Sequence, residues 1–199
     1  MIDETVEEIE EMQTHSSSVV AVKATRALLE LLDREFATVE EYERALDRNA
    51  RALQRANPSH ASLHNAMREV VDTVSTADSE DVEDVKATTS EAVERVVESV
   101  EHGKSGAAER AAEHIEDGST ILTHDYSSTV LEAVELATRD GAHVEMFVTE
   151  ARPRYLGRKT ARTLAGNDRV ETHLLTDAAS GDYLEECDEG FVGMDCIVG

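Results

Sequence analysis

The sequence predicts an α/β protein in which an N-terminal helical domain precedes a Rossmann-like domain built on a parallel sheet. Up to about residue 105, apolar residues recur at helical spacing, as the valines within 93–100 illustrate. From about Gly118, short apolar strand segments alternate with helical segments, which is the order that a parallel sheet with right-handed crossovers requires. The expected domains are therefore residues 1–105 and 106–199.

Helix signals divide the first domain into five segments. Thr38 begins a Thr-Val-Glu-Glu capping box, and Asn57-Pro58 is a helix breaker, so one helix is bounded on both sides. Gly103 and Gly106 are expected to mark a joint at the end of the domain. The expected helices cover residues 2–12, 19–32, 38–55, 62–74 and a last segment that includes 93–100.

The second domain is expected to hold four strands and three helices. Ligand sites in parallel sheets lie at the carboxyl ends of the strands. The last strand would be an uncovered edge, so either a partner covers it or the chain is a fragment. The expected strands are 120–124, 143–149, 170–176 and 191–197, and the expected helices are 127–139, 157–165 and 180–186.

The charge of the chain is strongly negative. The 43 acidic and 19 basic residues give a formal net charge of -24, which repels nucleic acids and anionic membranes. Such a surface either selects its partners by charge or is an adaptation to a salty cytoplasm. The spread of Asp and Glu over all the helices favours the second explanation.

Several classes of protein are excluded by simple features of the sequence. No apolar run approaches the roughly 18 residues of a membrane span, and the acidic start is unlike a signal peptide. Two cysteines, Cys187 and Cys196, form neither a disulfide scaffold nor a zinc site, so a reducing cytoplasm is expected. The histidines show no metal-binding spacing, and no glycine-rich nucleotide loop follows the first strand, so neither a metal nor a cofactor is expected.

Candidate site residues follow the expected strands, each with a structural alternative. Ser127 could help to hold a phosphate at a helix start or simply cap that helix. Arg152 is suited to a phosphate or carboxylate but could equally pair with local acids. Asp177 is more typical of a loop or helix cap. Asp195 lies among apolar residues, so it is either a structural hydrogen-bonding group or a protonated general acid.

Six segments carry recognisable motifs, at residues 57–66, 115–124, 126–131, 148–157, 174–179 and 192–195. Together they resemble the translation initiation factor 2B alpha/beta/delta family, which also contains ribose-1,5-bisphosphate and methylthioribose-1-phosphate isomerases. The likeness covers nearly the whole chain in the right order. It implies dimerisation through the sheet domain.

The departures from the isomerase pattern bear on function. Where the isomerases have a Cys after the His of the first strand, here His124 is followed by Asp125, whereas their catalytic Asp is retained as Asp195. Their phosphate-binding Arg-Gly-Ala stretch corresponds here to serines that include Ser17 and Ser18, and their Arg before Pro is Asn57. Leu156 replaces a Gln, and their Asn-Lys motif would lie beyond residue 199.

The resemblance and its departures together imply a non-catalytic regulatory or interaction protein. Such a protein would form homo- or hetero-oligomers and would bind a nucleotide or sugar phosphate as a regulatory ligand. The residues implied for this ligand are Ser17, Ser18, Asn57, His124, Ser127, Arg152 and Asp177, with Asp125 and Asp195 at the catalytic positions. The alternatives are an aldose–ketose sugar-phosphate isomerase with altered residues and an inactive fragment of either kind.

The excess of acidic groups predicts that the fold is stabilised by salt. At 0.01 M ionic strength the Debye length is about 30 Å, so repulsion between carboxylates acts across the molecule. We expect the melting temperature to rise steadily as KCl is increased to molar concentration. Sucrose at matched osmolality is the uncharged control. A melting temperature that does not change with KCl would contradict the expected salt adaptation.

Overall fold

The helical half of the chain forms one of two compact units, the first reaching His102 and the second spanning Gly103–Met194. The computed structural model describes residues 2–11 and 16–194. Within the described residues before Gly103 there is no strand, as the sequence predicted. The helices are α1 (Ile2–Glu10), α2 (Ser17–Ala27, continued by a 3-10 turn at Leu28–Leu31), α3 (Val39–Ala56), α4 (Ala61–Ser75) and α5 (Val82–Ala112).

Side chains cap the starts of α3 and α4. Thr38 accepts a hydrogen bond from the Glu41 amide at 3.2 Å, and the Glu41 carboxylate accepts one from the Ala37 amide at 3.0 Å. The Thr38 half of the predicted capping box is therefore confirmed, whereas Glu41 caps the amide of the residue before Thr38 instead of the Thr38 amide. His60 caps α4, since its Nδ1 accepts a hydrogen bond from the Leu63 amide at 3.2 Å. The sequence placed this start near Ser62 because histidine is not among the usual capping residues.

Tyr42 lies at the centre of the helical core. Its side chain is fully buried, and the edge of its ring meets Phe36 with the ring centres 5.1 Å apart. The hydroxyl donates to Thr89 Oγ1 at 2.8 Å, and Thr89 in turn donates to the Val85 carbonyl at 2.9 Å. Burial raises the pKa of the Tyr42 phenol. This chain of hydrogen bonds links α3 to α5 inside an otherwise apolar core.

The boundary between the two compact units falls at the first glycine of the predicted joint, Gly103, but α5 continues through Gly103 and Gly106 to Ala112. Each glycine weakens a helix by only about 1 kcal/mol relative to alanine. The residues on both sides of the pair are good helix formers, so this weakening does not end the helix.

The second unit holds a four-stranded sheet in the order β3-β2-β1-β4, with every neighbouring pair parallel. The predicted fold class, helices followed by a parallel α/β sheet, is confirmed. The strands are β1 (Thr120–His124), β2 (Val144–Glu150), β3 (Val170–Thr176) and β4 (Glu189–Phe191). The helices are α6 (Ser128–Arg139), α7 (Gly157–Leu164) and the short α8 (Ser180–Tyr183), which stands between 3-10 turns at Asp177–Ala179 and Leu184–Glu186.

The last strand lies earlier than the predicted range of 191–197. β4 pairs with residues 121–123 of β1 through Glu189–Phe191, and residues 192–194 continue without strand structure. The remainder of the predicted strand lies outside the described residues. The apolar run that begins at Phe191 indicated the strand, whereas the observed strand includes the poor strand formers Glu189 and Gly190.

The two faces of the sheet differ in composition. One face is apolar, and its side chains Ile121, Met146 and Val148 share a core with residues such as Val134 and Leu164. The opposite face carries three rows of side chains across β1, β2 and β3, set by the parallel register. From the amino to the carboxyl ends, these rows are Thr120, Glu145 and Glu171, then Leu122, Phe147 and His173, then His124, Thr149 and Leu175. We call this the polar face. None of the helices in the described parts of the chain is both long and apolar enough for a transmembrane segment.

Replacing Tyr42 by Phe is expected to lower the free energy of unfolding by about 1 kcal/mol at neutral pH, since one buried hydrogen bond is lost. Because burial raises the phenol pKa, this stabilisation is present below the unfolded pKa of about 10 and is lost as the pH rises through the folded pKa. Urea unfolding at pH 7.5 and above pH 10 measures both effects. Tyr155→Phe, at a partly exposed ring, is the matched control. Equal deficits in the two variants would contradict the role given to Tyr42.

Candidate functional site

The candidate site lies at the carboxyl end of β1, where the strand order changes direction. From β1 the chain proceeds through β2 to β3 on one side, and β4 then adds on the other side of β1. Such a switch point leaves a crevice outside the carboxyl ends of the strands. Gly193, which follows β4, borders this crevice against Ser127. A Cβ atom at Gly193 would lie 2.7 Å from Ser127 Oγ, so only glycine fits there without a shift.

His124 ends β1 and lies between oxygen atoms from three other residues. Its Nδ1 is 2.8 Å from Thr149 Oγ1 and 3.7 Å from Asp177 Oδ1, and its Nε2 is 4.0 Å from Asp125 Oδ2. The His124 side chain is 47% exposed, so a ligand can reach the ring. Imidazole is the side chain best suited to exchange protons near neutral pH. We call His124, Asp125, Thr149 and Asp177 the carboxyl-end site.

Asp125 is held by its backbone as well as by its carboxylate. Its φ angle of 49° lies in the left-handed region, which aspartate tolerates better than most residues. The Asp125 amide donates to the Thr149 carbonyl at 2.8 Å, and its carbonyl accepts from Thr160 Oγ1 at 2.5 Å. The carboxylate Oδ1 accepts from the Ala151 amide at 3.0 Å. These bonds connect the ends of β1 and β2 with α7.

The start of α7 packs against the end of β2 without room for a side chain at Gly157. A Cβ atom there would lie 2.6 Å from the Thr149 carbonyl oxygen and 2.7 Å from Glu150 Cβ. The close approach lets Arg158 donate two hydrogen bonds to Glu150, at 2.9 and 3.1 Å. The hydrogen bond to Glu150 raises the pKa of Arg158. The Arg158 guanidinium is therefore already paired with a carboxylate of the protein.

Other cations near the site have different surroundings. Lys159 Nζ lies 4.1 Å from the centre of the Tyr126 ring, a cation–π contact. Arg152 and Arg154 are exposed in the turn between β2 and α7. This turn includes a cis peptide bond between Arg152 and Pro153. An incoming anion would therefore meet arginines that solvent already reaches.

The structure brings only part of the predicted site together. His124, Asp125 and Asp177 meet, and Ser127 lies next to Asp125 at the start of α6, where its Oγ accepts from the Val130 amide at 3.3 Å. Asp195 lies outside the described residues. Arg152 lies in the turn after β2, and the other three predicted residues belong to the helical unit. Ser17 and Ser18 begin α2, and Asn57 follows α3 and accepts a hydrogen bond from Ser59 at 3.1 Å.

The sequence analysis missed one residue of the site, Thr149, and one residue that supports it, Thr160. Thr149 contacts His124 because the parallel register places the two side by side. Thr160 bonds to the Asp125 carbonyl from α7. The sequence offered no signal for either contact, since both depend on strand order and on how closely α7 approaches β2.

A comparison with protein families decides the relationship. A family model described as "Initiation factor 2 subunit family" matches residues 13–199. The chain belongs to this family. The resemblance inferred from the motifs is thereby confirmed.

Curated relatives of this family member carry two kinds of name. The chain is 32% identical over 194 residues to a ribose 1,5-bisphosphate isomerase of Haloterrigena turkmenica, covering 97% of the chain and 58% of the relative. It is 31% identical to the Haloferax volcanii protein of the same name, covering 97% and 59%. It is 30% identical to a putative translation initiation factor eIF-2B subunit 2-like protein of Pyrococcus furiosus, covering 96% and 65%. The chain therefore spans about three fifths of the length of these relatives.

Solved structures give the same fold. The Pyrococcus horikoshii translation initiation factor eIF-2B superposes with a TM-score of 0.84 at 28% identity, covering 98% of this chain and 66% of that one. The 5-methylthioribose 1-phosphate isomerase of the same organism gives 0.79 at 19% identity, covering 98% and 58%, a likeness of fold alone.

Replacing Gly157 by Ala is expected to lower the free energy of unfolding by about 1–3 kcal/mol, because the added methyl group overlaps backbone and Glu150 atoms. Thermal and urea unfolding would measure the loss. Gly106→Ala is the matched control in the same unit, since a Cβ there has no neighbour within 4 Å. That helix-interior change should stabilise the protein by about 0.5–1 kcal/mol. Similar effects of the two substitutions would refute the close approach at Gly157.

Proposed function

We propose that the chain is part of an aldose–ketose sugar-phosphate isomerase that acts on ribose 1,5-bisphosphate or a closely related phosphorylated pentose. The observation that carries the proposal is the placement of His124 between two carboxylates and a threonine at the switch point of the sheet. The names of the Haloterrigena and Haloferax relatives support the choice of substrate.

The chemistry of this conversion defines the groups that are needed. Ribose 1,5-bisphosphate becomes the ketose when the bond between C1 and the ring oxygen breaks and the C2 proton is removed. The ring oxygen gains one proton, C1 gains another, and the C2 hydroxyl loses its proton as the carbonyl forms. Two protons leave and two return, so the reaction requires positioned acid–base groups and no oxidant.

His124 is suited to the proton transfers at C2 and C1. Its ring is accessible, Thr149 fixes its orientation, and carboxylates lie 3.7 and 4.0 Å from its two nitrogens. A proton accepted by the ring can therefore be passed on or returned to the substrate. Asp195, retained at the family's catalytic aspartate position, is proposed as the second acid–base group.

The phosphates of the substrate need local cations in a chain whose net charge is -24. Arg152 and Arg154 are exposed beside the site, and Ser127 begins the helix whose amides can bind a phosphate. Arg158 is excluded from this role because Glu150 occupies its guanidinium. We propose that Arg152 and Ser127 contact one phosphate of the substrate.

Asp125 favours a second candidate function, a non-catalytic regulatory subunit. Its amide, carbonyl and one carboxylate oxygen are all engaged in bonds that hold β1, β2 and α7 together. Asp125 stands at the position of the family's catalytic Cys, and its bonds give it a structural role in place of a catalytic one. Such a subunit would form homo- or hetero-oligomers through the sheet domain and bind a phosphorylated ligand without converting it. The name of the Pyrococcus furiosus relative fits this alternative.

The decisive experiment measures conversion of ribose 1,5-bisphosphate to the ketose by phosphorus NMR, with the product of the full open reading frame. We expect turnover in the wild type and a loss of about 10²–10⁴-fold in His124→Gln, because a proton-transfer group is removed. The control is His143→Gln, since His143 lies at the amino end of β2 beside Asp117. That variant should retain wild-type turnover.

The remaining outcomes separate the two candidates. Saturable binding of the bisphosphate by calorimetry without turnover would reject the isomerase and support the regulatory subunit. Turnover that is unaffected in His124→Gln would reject the role of His124. Absence of both binding and turnover would reject both candidates.

A further inference from the structure

A second group of potential ligands lies on the polar face, nearer the amino ends of the strands. Glu145 of β2 is directly opposite Glu171 of β3, and His173 follows two residues later on the same face. One ligand atom from each of the three side chains lies within 4.8 Å of the others. Along β2, Phe147 lies between Glu145 of this group and Thr149 of the carboxyl-end site. The group is thus distinct from the proposed isomerase site.

The distances within the group match the spacing of ligands around a small cation. His173 Nε2 is 3.0 Å from Glu145 Oε1 and 3.6 Å from Glu171 Oε1. Zinc binds imidazole nitrogen and carboxylate oxygen at about 2.0–2.2 Å, so neighbouring ligand atoms of a tetrahedral site lie roughly 3.3 Å apart. The observed distances fall on both sides of that value.

The ring nitrogen Nε2 of His173 lies against both carboxylates without a well-formed hydrogen bond to either. Nε2 is shielded from solvent and makes no hydrogen bond within the described parts of the chain. Its 3.0 Å contact with Glu145 is close enough for one, but the atoms are not aligned as an N–H donor and its acceptor. Because His173 Nε2 faces two carboxylates without donating a hydrogen bond to either, the three side chains are arranged as the ligands of a metal cation would be.

Neighbouring side chains orient two of the three residues. The His173 ring stacks on Phe147 with ring centres 4.9 Å apart and planes 23° apart, and Tyr183 packs on Phe147 at 5.0 Å. Thr120 Oγ1 donates to Glu145 Oε2 at 3.3 Å, which leaves Oε1 directed at His173. Outer contacts of this kind fix ligand orientation in metal sites.

We propose that Glu145, Glu171 and His173 bind one divalent first-row transition-metal cation, such as Zn²⁺, which links β2 to the edge strand β3. One imidazole with two carboxylates suits such a cation better than Ca²⁺ or Mg²⁺, which prefer oxygen ligands alone. The strongly negative charge of the chain also draws cations to its surface. The competing explanation is an ordinary ion pair between protonated His173 and its two carboxylate neighbours.

Cys187 lies close to the group, so its own contribution to metal binding has to be tested separately. Burial is the main reason that the pKa of the Cys187 thiol is raised, and Glu145 adds to it. The thiol donates to the Tyr183 carbonyl at 3.3 Å. Because a cysteine could bind zinc in its own right, the test includes a Cys187→Ser variant.

The test is equilibrium dialysis of chelator-treated protein against Zn²⁺ at pH 7.5, with bound metal measured by mass spectrometry and stability by thermal melting. We expect one Zn²⁺ per chain and a higher melting temperature in the wild type. His173→Gln and Glu171→Gln should each weaken binding at least tenfold and remove the thermal shift. Circular dichroism would check that these partly exposed substitutions leave the fold intact.

Two control variants make the outcome decisive. His143→Gln removes a histidine that pairs with a single carboxylate, Asp117, and should bind Zn²⁺ like the wild type. Cys187→Ser should also bind normally. The proposal is overturned if the wild type binds no stoichiometric Zn²⁺, if His173→Gln and Glu171→Gln bind normally, or if either control loses binding. None of these measurements depends on isomerase activity.

Discussion

The bonds made by Asp125 are the constraint on which the sheet unit depends. Its carboxylate and amide hold the end of β1 to the end of β2, and its carbonyl receives the hydroxyl of Thr160 from α7. The left-handed backbone at this residue turns the chain sharply away from the sheet toward α6. The crevice at the switch point, and the direction in which His124 faces, both follow from this turn. Asp125 therefore stabilises the packing of β1, β2 and α7 and also borders the proposed site.

The charges close to the proposed site are arranged differently from those of the chain as a whole. Many carboxylates lie on exposed helix surfaces, where water and salt screen them. Close to the switch point, Glu150 is neutralised by Arg158, and Lys159 lies over the ring of Tyr126. Local pairing thus matters more for an incoming phosphate than the total charge of the chain does.

Features that depend on a few neighbouring residues could be predicted from the sequence. The capping box at Thr38 and the alternation of strands and helices belong to this class. Gly103 and Gly106 indicated where the two units divide, but they did not indicate where α5 ends, because helix continuation depends on the whole segment and not on single glycines. The contact between His124 and Thr149 could not be derived at all, since it requires the strand order and register. The family motifs identified His124 and Asp125 as site residues, but the bonds that hold Asp125 depend on the folded backbone.

The contact between Ser127 and Gly193 has a consequence for how this protein can diverge. With a Cβ at residue 193 only 2.7 Å from Ser127 Oγ, the two positions share one small volume. A larger residue at either position has to be matched by a movement of the chain after β4 or of the first turn of α6. The two positions should therefore covary among homologues, although they are 66 positions apart in the sequence. Covariation of residues 127 and 193 would reflect the width of the crevice and would not depend on which ligand the crevice binds.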